Sequence, residues 1–164
     1  MGTWTNSDGL YIKYGETEVT AKAAGEYMTM GGMHVVEIEL PLTSLSTSAA
    51  YYASDTVTIP DGARIEEVEV ISETAATSAG AATLDVGLID QDRSTALDAN
   101  GLVAALALSA INADGEKNVI RIGSTSVGAL VGTTLTNTGL IIAQAGTAVY
   151  TAGHVIVRIH YYMP

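Results

Sequence analysis

The sequence predicts an all-β fold: an antiparallel two-sheet β-sandwich of the jelly-roll type, with one short helix and an extended N-terminal arm. Three observations predict it. Apolar residues recur with a period of two in segment after segment, clusters of turn-forming residues separate those segments, and no strand-helix-strand rhythm of a parallel sheet breaks the series. The 164 residues are 48% hydrophobic, enough for a sheet-on-sheet core within one domain. A chain of this length buries about two thirds of its unfolded surface and needs no covalent staple.

Residues 1–33 differ from the rest and are assigned to an arm, with the sandwich in residues 34–164. The arm mixes Gly2, Gly9, Gly15, Gly25, Gly31 and Gly32 with Trp4, Tyr11, Tyr14, Tyr27, Met28, Met30 and Met33. Only residues 10–14 and 18–22 read as short strands. The glycines argue against an independently packed unit, whereas the aromatics and methionines argue against a solvated linker. Two readings satisfy both: an extended arm that docks on a partner, or a hairpin folded onto the protein's own sheet.

From His34 the period becomes two. His34, Val36, Ile38, Leu40 and Leu42 face one way, and Val35, Glu37 and Glu39 the other. The next strand covers residues 64–72, where Ile65 is out of phase with Val68 and Val70, so a bulge near Glu66 and Glu67 is needed to bury all three. Residues 82–89 place Leu84, Val86 and Leu88 on one face, and residues 118–122 do the same with Ile120 and Ile122. Residues 140–145 are apolar on both faces, as a central strand is. The last strand, residues 153–163, turns Val155, Val157, Ile159 and Tyr161 inward. Pro60, Asp61 and Gly62, then Ala113, Asp114 and Gly115, then Asn137, Thr138 and Gly139 supply the turns. The exception is residues 98–112. Leu102, Val103, Leu106 and Ala110 fall on a helical stripe after Asp98 or Asn100, which predicts a short helix.

Composition excludes several kinds of function. The chain has no Cys, which removes disulfides, thiolate catalysis and Cys-based zinc sites together. A net charge of −11 repels phosphate, so no direct nucleic acid or anionic membrane partner is expected. The opening Met1 to Asn6 lacks the basic and apolar regions of a secretory signal, and Asn6 stands where myristoylation wants Ser or Thr. The longest nearly uninterrupted apolar run, residues 102–111, is half of the ~20 residues that span a bilayer. A soluble chain is expected.

Searches for chemistry return little. Residues 123–128 have the glycine spacing of a phosphate loop, but Ala129 stands where its Lys belongs, and Gly128 with Gly132 form a GxxxG only among Thr-rich turns. Asp90, Asp92, Asp98 and Asn100 are oxygen ligands in a loop, yet the glycine and glutamate of a calcium-binding loop are missing from their positions. Glu66, Glu67 and Glu69 read as a solvated strand face rather than a glycosidase pair. His154 and His160 share a face but lie about 20 Å apart at ~3.3 Å per residue, so they cannot chelate one ion. With Arg158 they form a basic row opposite acidic strands such as that of Glu37 and Glu39. A trimer would gather three copies of one His on its axis. No catalytic residue, metal or cofactor is assigned. The eight Tyr and one Trp, with no Phe, favour contact surfaces. In the pairs Tyr51 and Tyr52, and Tyr161 and Tyr162, one ring of each faces outward.

The opening Trp4, Thr5, Asn6, Ser7, Asp8, Gly9, Leu10 and Tyr11, with Lys13, Gly15, Gly25, Glu26 and Tyr27, resembles the start of small virion structural proteins of tailed bacteriophages. The segments Ala63 to Val68, Asp85 to Leu88 and Asp98 to Leu102 are similar to segments of the same group. Within it, size, acidity and expected sandwich are most similar to capsid decoration, or cement, proteins. The resemblance implies a β-sandwich on the outer capsid surface of the virion, assembled in the host cytoplasm. It implies a homo-oligomer, often a trimer, that clamps neighbouring subunits of the major capsid protein. The arm residues Trp4, Tyr11, Tyr14, Tyr27, Met28, Met30 and Met33 are then the expected capsid interface, and the protein is not an enzyme. The alternative is a phage tail or receptor- or carbohydrate-binding sandwich module, which the outward Tyr set favours.

Overall fold

The computed structural model describes residues 2–5, 11–14, 32–54 and 57–163. The chain divides into two compact units, Met1–Gly32 and Met33–Pro164. In the first, β1 (Gly2–Thr5) pairs antiparallel with β2 (Tyr11–Tyr14), with Trp4 opposite Ile12. These two strands form a sheet of their own. The strand expected at residues 18–22 lies outside the described residues.

The second unit contains β3 (Met33–Pro41), β4 (Tyr51–Tyr52), β5 (Thr58–Ile59), β6 (Arg64–Ser78), β7 (Thr83–Asp90), β8 (Ala96–Ala107), β9 (Lys117–Arg121), β10 (Gly139–Gly146) and β11 (Tyr150–Tyr162). One sheet has the order β3-β11-β6-β9, the other β4-β10-β7-β8, with β5 beside β10 next to β4. The pairing is nested. β3 lies with β11, β4 and β5 with β10, β6 with β9, and β7 with β8, all antiparallel. Counting β4 and β5 as one interrupted strand, this is the eight-stranded, two-sheet jelly roll expected from the sequence.

Strand alternation builds the core as expected. Leu40, Val68, Val70, Leu84, Val86, Leu88, Val155, Val157 and Ile159 are fully buried in one continuous apolar cluster, with Ile38 and Tyr161 nearly so. The bulge is at Glu66. His160 lies opposite Glu67 and Tyr161 opposite Ile65, so Glu66 is the extra residue, and Ile65 joins Val68 and Val70 inside. β10 is central in its sheet and buried on both faces. Its Ile141, Ala143 and Ala145 face the core, while Leu140 and Ile142 pack with Ile89 under Ala50 and Tyr52.

Two expectations fail. Residues 98–112 form no α-helix; β8 runs through them to Ala107, followed by a single 3-10 turn, Leu108–Ala110. The reason is irregularity in β8. Its register against β7 slips repeatedly, from Leu106 opposite Leu84 to Val103 opposite Val86 and Asp98 opposite Leu88, and Ala105 takes a left-handed φ of 51°. Extra residues in a strand put Leu102, Val103 and Leu106 inside at a spacing that imitates a helical stripe. Ile122 is the other failure. β9 ends at Arg121, and Ile122 is 69% exposed.

The bulged stretch of β8 lies between two glycines. A Cβ at Gly87 would stand 2.1 Å from the Asp98 carbonyl oxygen, and one at Gly128 would stand 2.1 Å from the Gly101 carbonyl carbon. Beyond it, the segment around Gly128 runs along the outer edge of β8. The Ala104 N–H donates to Ser126 O at 2.9 Å, and the Leu130 N–H to Gly101 O at 2.8 Å. The phosphate-loop spacing is therefore edge covering. Gly87→Ala or Gly128→Ala is expected to cost about 3 kcal/mol, because backbone cannot yield to the added methyl. Gly115→Ala has open space but a φ of 78°, and is expected to cost about 1 kcal/mol. Urea unfolding of the three variants measures the difference, and equal losses would contradict the packing account.

Candidate interaction surface

The outer face of the β3-β11-β6-β9 sheet carries three rows of side chains that cross all four strands. They are Val35, His160, Glu67 and Arg121; Glu37, Arg158, Glu69 and Val119; and Glu39, Ile156, Ile71 and Lys117. Each row follows from the register, because residues opposite one another in an antiparallel sheet share a face.

Charges alternate along the middle row. Arg158 Nε lies 2.5 Å from Glu37 Oε2, and its Nη1 lies 3.9 Å from Glu69 Oε2. Lys117 reaches Glu69 Oε1 at 2.5 Å from the adjoining row. Glu69 is only 8% exposed. The hydrogen bond from Lys117 holds its carboxyl below the ordinary carboxylate range against the opposing effect of burial, with Lys117, His160 and Arg158 adding Coulombic support. At the far end of β11, His154 Nδ1 lies 2.7 Å from Glu73 Oε2. The basic row of His154, Arg158 and His160 thus faces acidic strands, with Glu37 and Glu73 as partners together with Glu69, whose expected place on a solvated face is corrected: its neighbours Lys117, Arg158 and His160 cover it.

Glu67, Glu69 and His160 offer ligand atoms within 4.8 Å of one another, the one such group of three among the described residues. The His160 Nε2 atom is buried without a hydrogen-bond partner among them and lies 3.8 Å from Glu69 Oε2, while Nδ1 sits 3.3 Å from Met33 Sδ. Lys117 and Arg158 already supply positive charge to Glu69, which opposes adding a divalent cation there. The cluster is an ion-pair network. In the loop before β8, Asp92 serves a turn, accepting from the Ser94 N–H and Oγ at 2.9 and 2.6 Å, while Asp98, inside the irregular part of β8, accepts from the Asn100 N–H at 3.2 Å.

Next to the network is an open groove of about 350 Å³, lined by Met33, Glu66, Glu67, Arg121, Ile122 and Tyr162. Large apolar side chains cluster around it and along β3. Met33 is 49% and Val35 51% exposed. Tyr162 is the outward ring of its pair, and Tyr161 is the inward one, stacked on His34 at 5.3 Å. On the opposite sheet Tyr52 is the outward ring, under the Arg93 guanidinium at 4.8 Å. Of the seven expected interface residues, Met33 is on this surface. Trp4, Tyr11 and Tyr14 lie in the β1–β2 hairpin, and Tyr27, Met28 and Met30 lie outside the described residues. Val35 is on the outward face that strand alternation gave it, Val119 was not singled out, and Ile122 was missed as a surface residue because an Ile in a strand pattern reads as core.

No protein-family model matches the chain, and no curated protein matches it either. Its fold is similar to chains in three solved phage capsids. One is in the capsid of Ralstonia phage GP4, with a TM-score of 0.54 and 15% identity over 91% of each chain. A second is in the acidic stable capsid of Helicobacter pylori bacteriophage KHP30, at 0.52 and 16% over 80% of this chain and 88% of that one. The third is in the capsid asymmetric unit of cyanophage Pam1, at 0.50 and 21% over 98% of each chain.

The charged rows make a pH prediction. A carboxyl held low in the folded state stabilises above its unfolded pKa of about 4.3, and the contribution disappears as pH falls through the folded value. The natural protein is expected to exceed a Glu69→Gln variant in stability at pH 7, and the two curves are expected to converge as pH falls below the ordinary carboxylate range. Urea unfolding across pH measures this, and a constant gap would refute the assignment.

Proposed function

We propose that this protein is a structural protein of a tailed-phage virion, and specifically a decoration, or cement, protein on the outer surface of the capsid. The observation that carries the reading is the similarity of its fold, across nearly all of both chains in the Pam1 and GP4 cases, to chains that stand in phage capsids. The surface supports it. Exposed apolar groups and an ion-pair network suit adhesion between proteins, and the strong net negative charge keeps the body away from packaged DNA.

The partner in this reading is the major capsid protein, and the assembled form is a homo-oligomer, a trimer where the shell offers a three-fold position. Packaged DNA pushes outward on the shell. A protein that bridges neighbouring subunits adds contacts present only in the assembled state, and linked contacts strengthen one another through high effective concentration. Its work is binding, and no catalytic step is assigned to it.

The N-terminal unit is the expected clamp. A two-stranded hairpin alone is marginal in water, so one that carries Trp4, Tyr11 and Tyr14 gains most by docking against a larger surface. Along the sequence, Tyr27, Met28, Met30 and Met33 continue the same apolar character. Removing residues 1–30 is expected to leave a cooperatively folding sandwich that no longer cosediments with shells. Undiminished cosedimentation of that truncation would overturn the clamp, and electron microscopy of the parent particle with the chain in tail density would overturn the capsid reading.

A further inference from the structure

Four strand edges bound the two sheets, and three are protected in ways that discourage edge-to-edge pairing. β8 is hydrogen-bonded by the segment containing Ser126 and Leu130. β4 and β5 are two residues each. β9 is five residues long and carries Lys117 and Arg121 at its ends. Short strands, edge lysines and covering loops are the usual means by which sheets avoid unwanted partners.

Among the described residues β3 has none of these. It is nine residues long, about 30 Å at ~3.4 Å per residue. It pairs with β11 without a register slip, contains no Lys or Arg, and has Pro only as its last residue. Among the described residues nothing pairs with its other edge. Met33 and Val35 are about half exposed, and Glu37 and Glu39 point to solvent beside them. Arg158 answers Glu37, whereas Glu39 has no ion pair among the described residues.

Resting on the capsid reading above, we propose that the free edge of β3 takes up an extended strand of the shell subunit, one that presents Lys or Arg to Glu37 and Glu39 and an apolar side chain to Met33 and Val35. Charge decides the occupant. A second copy of this chain, paired antiparallel about a two-fold through Glu37 in the middle of β3, would set Glu37 opposite its own counterpart with each Glu39 diagonal to it, which disfavours self-pairing. A basic strand meets the opposite condition. Main-chain hydrogen bonds along the edge supply affinity, and the apolar pair Met33 and Val35 followed by the acidic pair Glu37 and Glu39 selects the sequence.

The test uses full-length protein and shells of the parent particle assembled without it. Val35→Lys and Glu39→Lys change exposed positions, so both are expected to melt with the natural protein and to bind shells about tenfold or more weakly. Hydrogen exchange supplies a readout independent of the variants. Alternate amides of β3, those facing away from β11, are expected to gain protection when the natural protein is bound to shells. Unchanged affinity of both folded variants, or unchanged exchange in β3 on bound natural protein, overturns the proposal while leaving the capsid reading intact. Protection of β3 in concentrated protein without shells identifies a second copy as the occupant and also overturns it. No binding by the natural protein refutes the capsid reading, and this proposal with it. Should the variants fail to fold, the exchange measurement on natural protein still decides.

Discussion

The structure depends on β11 keeping phase with two neighbours at once. Its inward residues, Val155, Val157, Ile159 and Tyr161, must match β3 on one side and β6 on the other, and they do so while Arg158 and His160 remain outside. One unpaired residue, Glu66, makes this possible. Without it, Ile65 would turn outward, since a shift of one residue exchanges the two faces of a strand. The same register that closes the core therefore orders the charges on the outside. Interior and surface are two readings of a single alignment.

The two faces differ in what they contribute. Each buried Leu, Ile or Val stabilises by about 1.5–3 kcal/mol, whereas an exposed ion pair is worth about 0–1 kcal/mol. With nearly thirty residues in the main apolar cluster, the core decides that the chain folds. The network around Glu69 contributes something else. Like charges set opposite one another are unfavourable, so alternating acidic and basic residues across β3, β11 and β6 penalise wrong registers and wrong partners.

Much of the fold was legible because period-two alternation is strong in strands buried on one face. Residues 34–42, 82–89 and 153–163 declare their inward sides by alternation, and the phase break around Glu66 discloses the bulge. β8 was illegible for the opposite reason: several bulges erased its alternation and left a spacing that a helix would also produce. Ile122 was misread because a strand's last residue cannot be located from periodicity alone. The surface was harder. Pairing of Glu69 with Lys117 depends on the neighbouring strand, which a linear pattern does not name, and the free edge of β3 emerges only when all four edges are compared. The outward face of Val35 and the contact character of Met33 were legible, but only the sheet order places the strand that carries them at a margin.

The close approach of Gly87, the bulged part of β8 and Gly128 has a further consequence. Contact there is main chain against main chain, so its shape is indifferent to which side chains surround it. Divergence elsewhere in the chain can exchange one aliphatic group for another, or redraw the loops, without altering the spacing of that flank. A sandwich pinned in this way can drift far in composition while its strands stay where they are, provided the two positions without a side chain are spared.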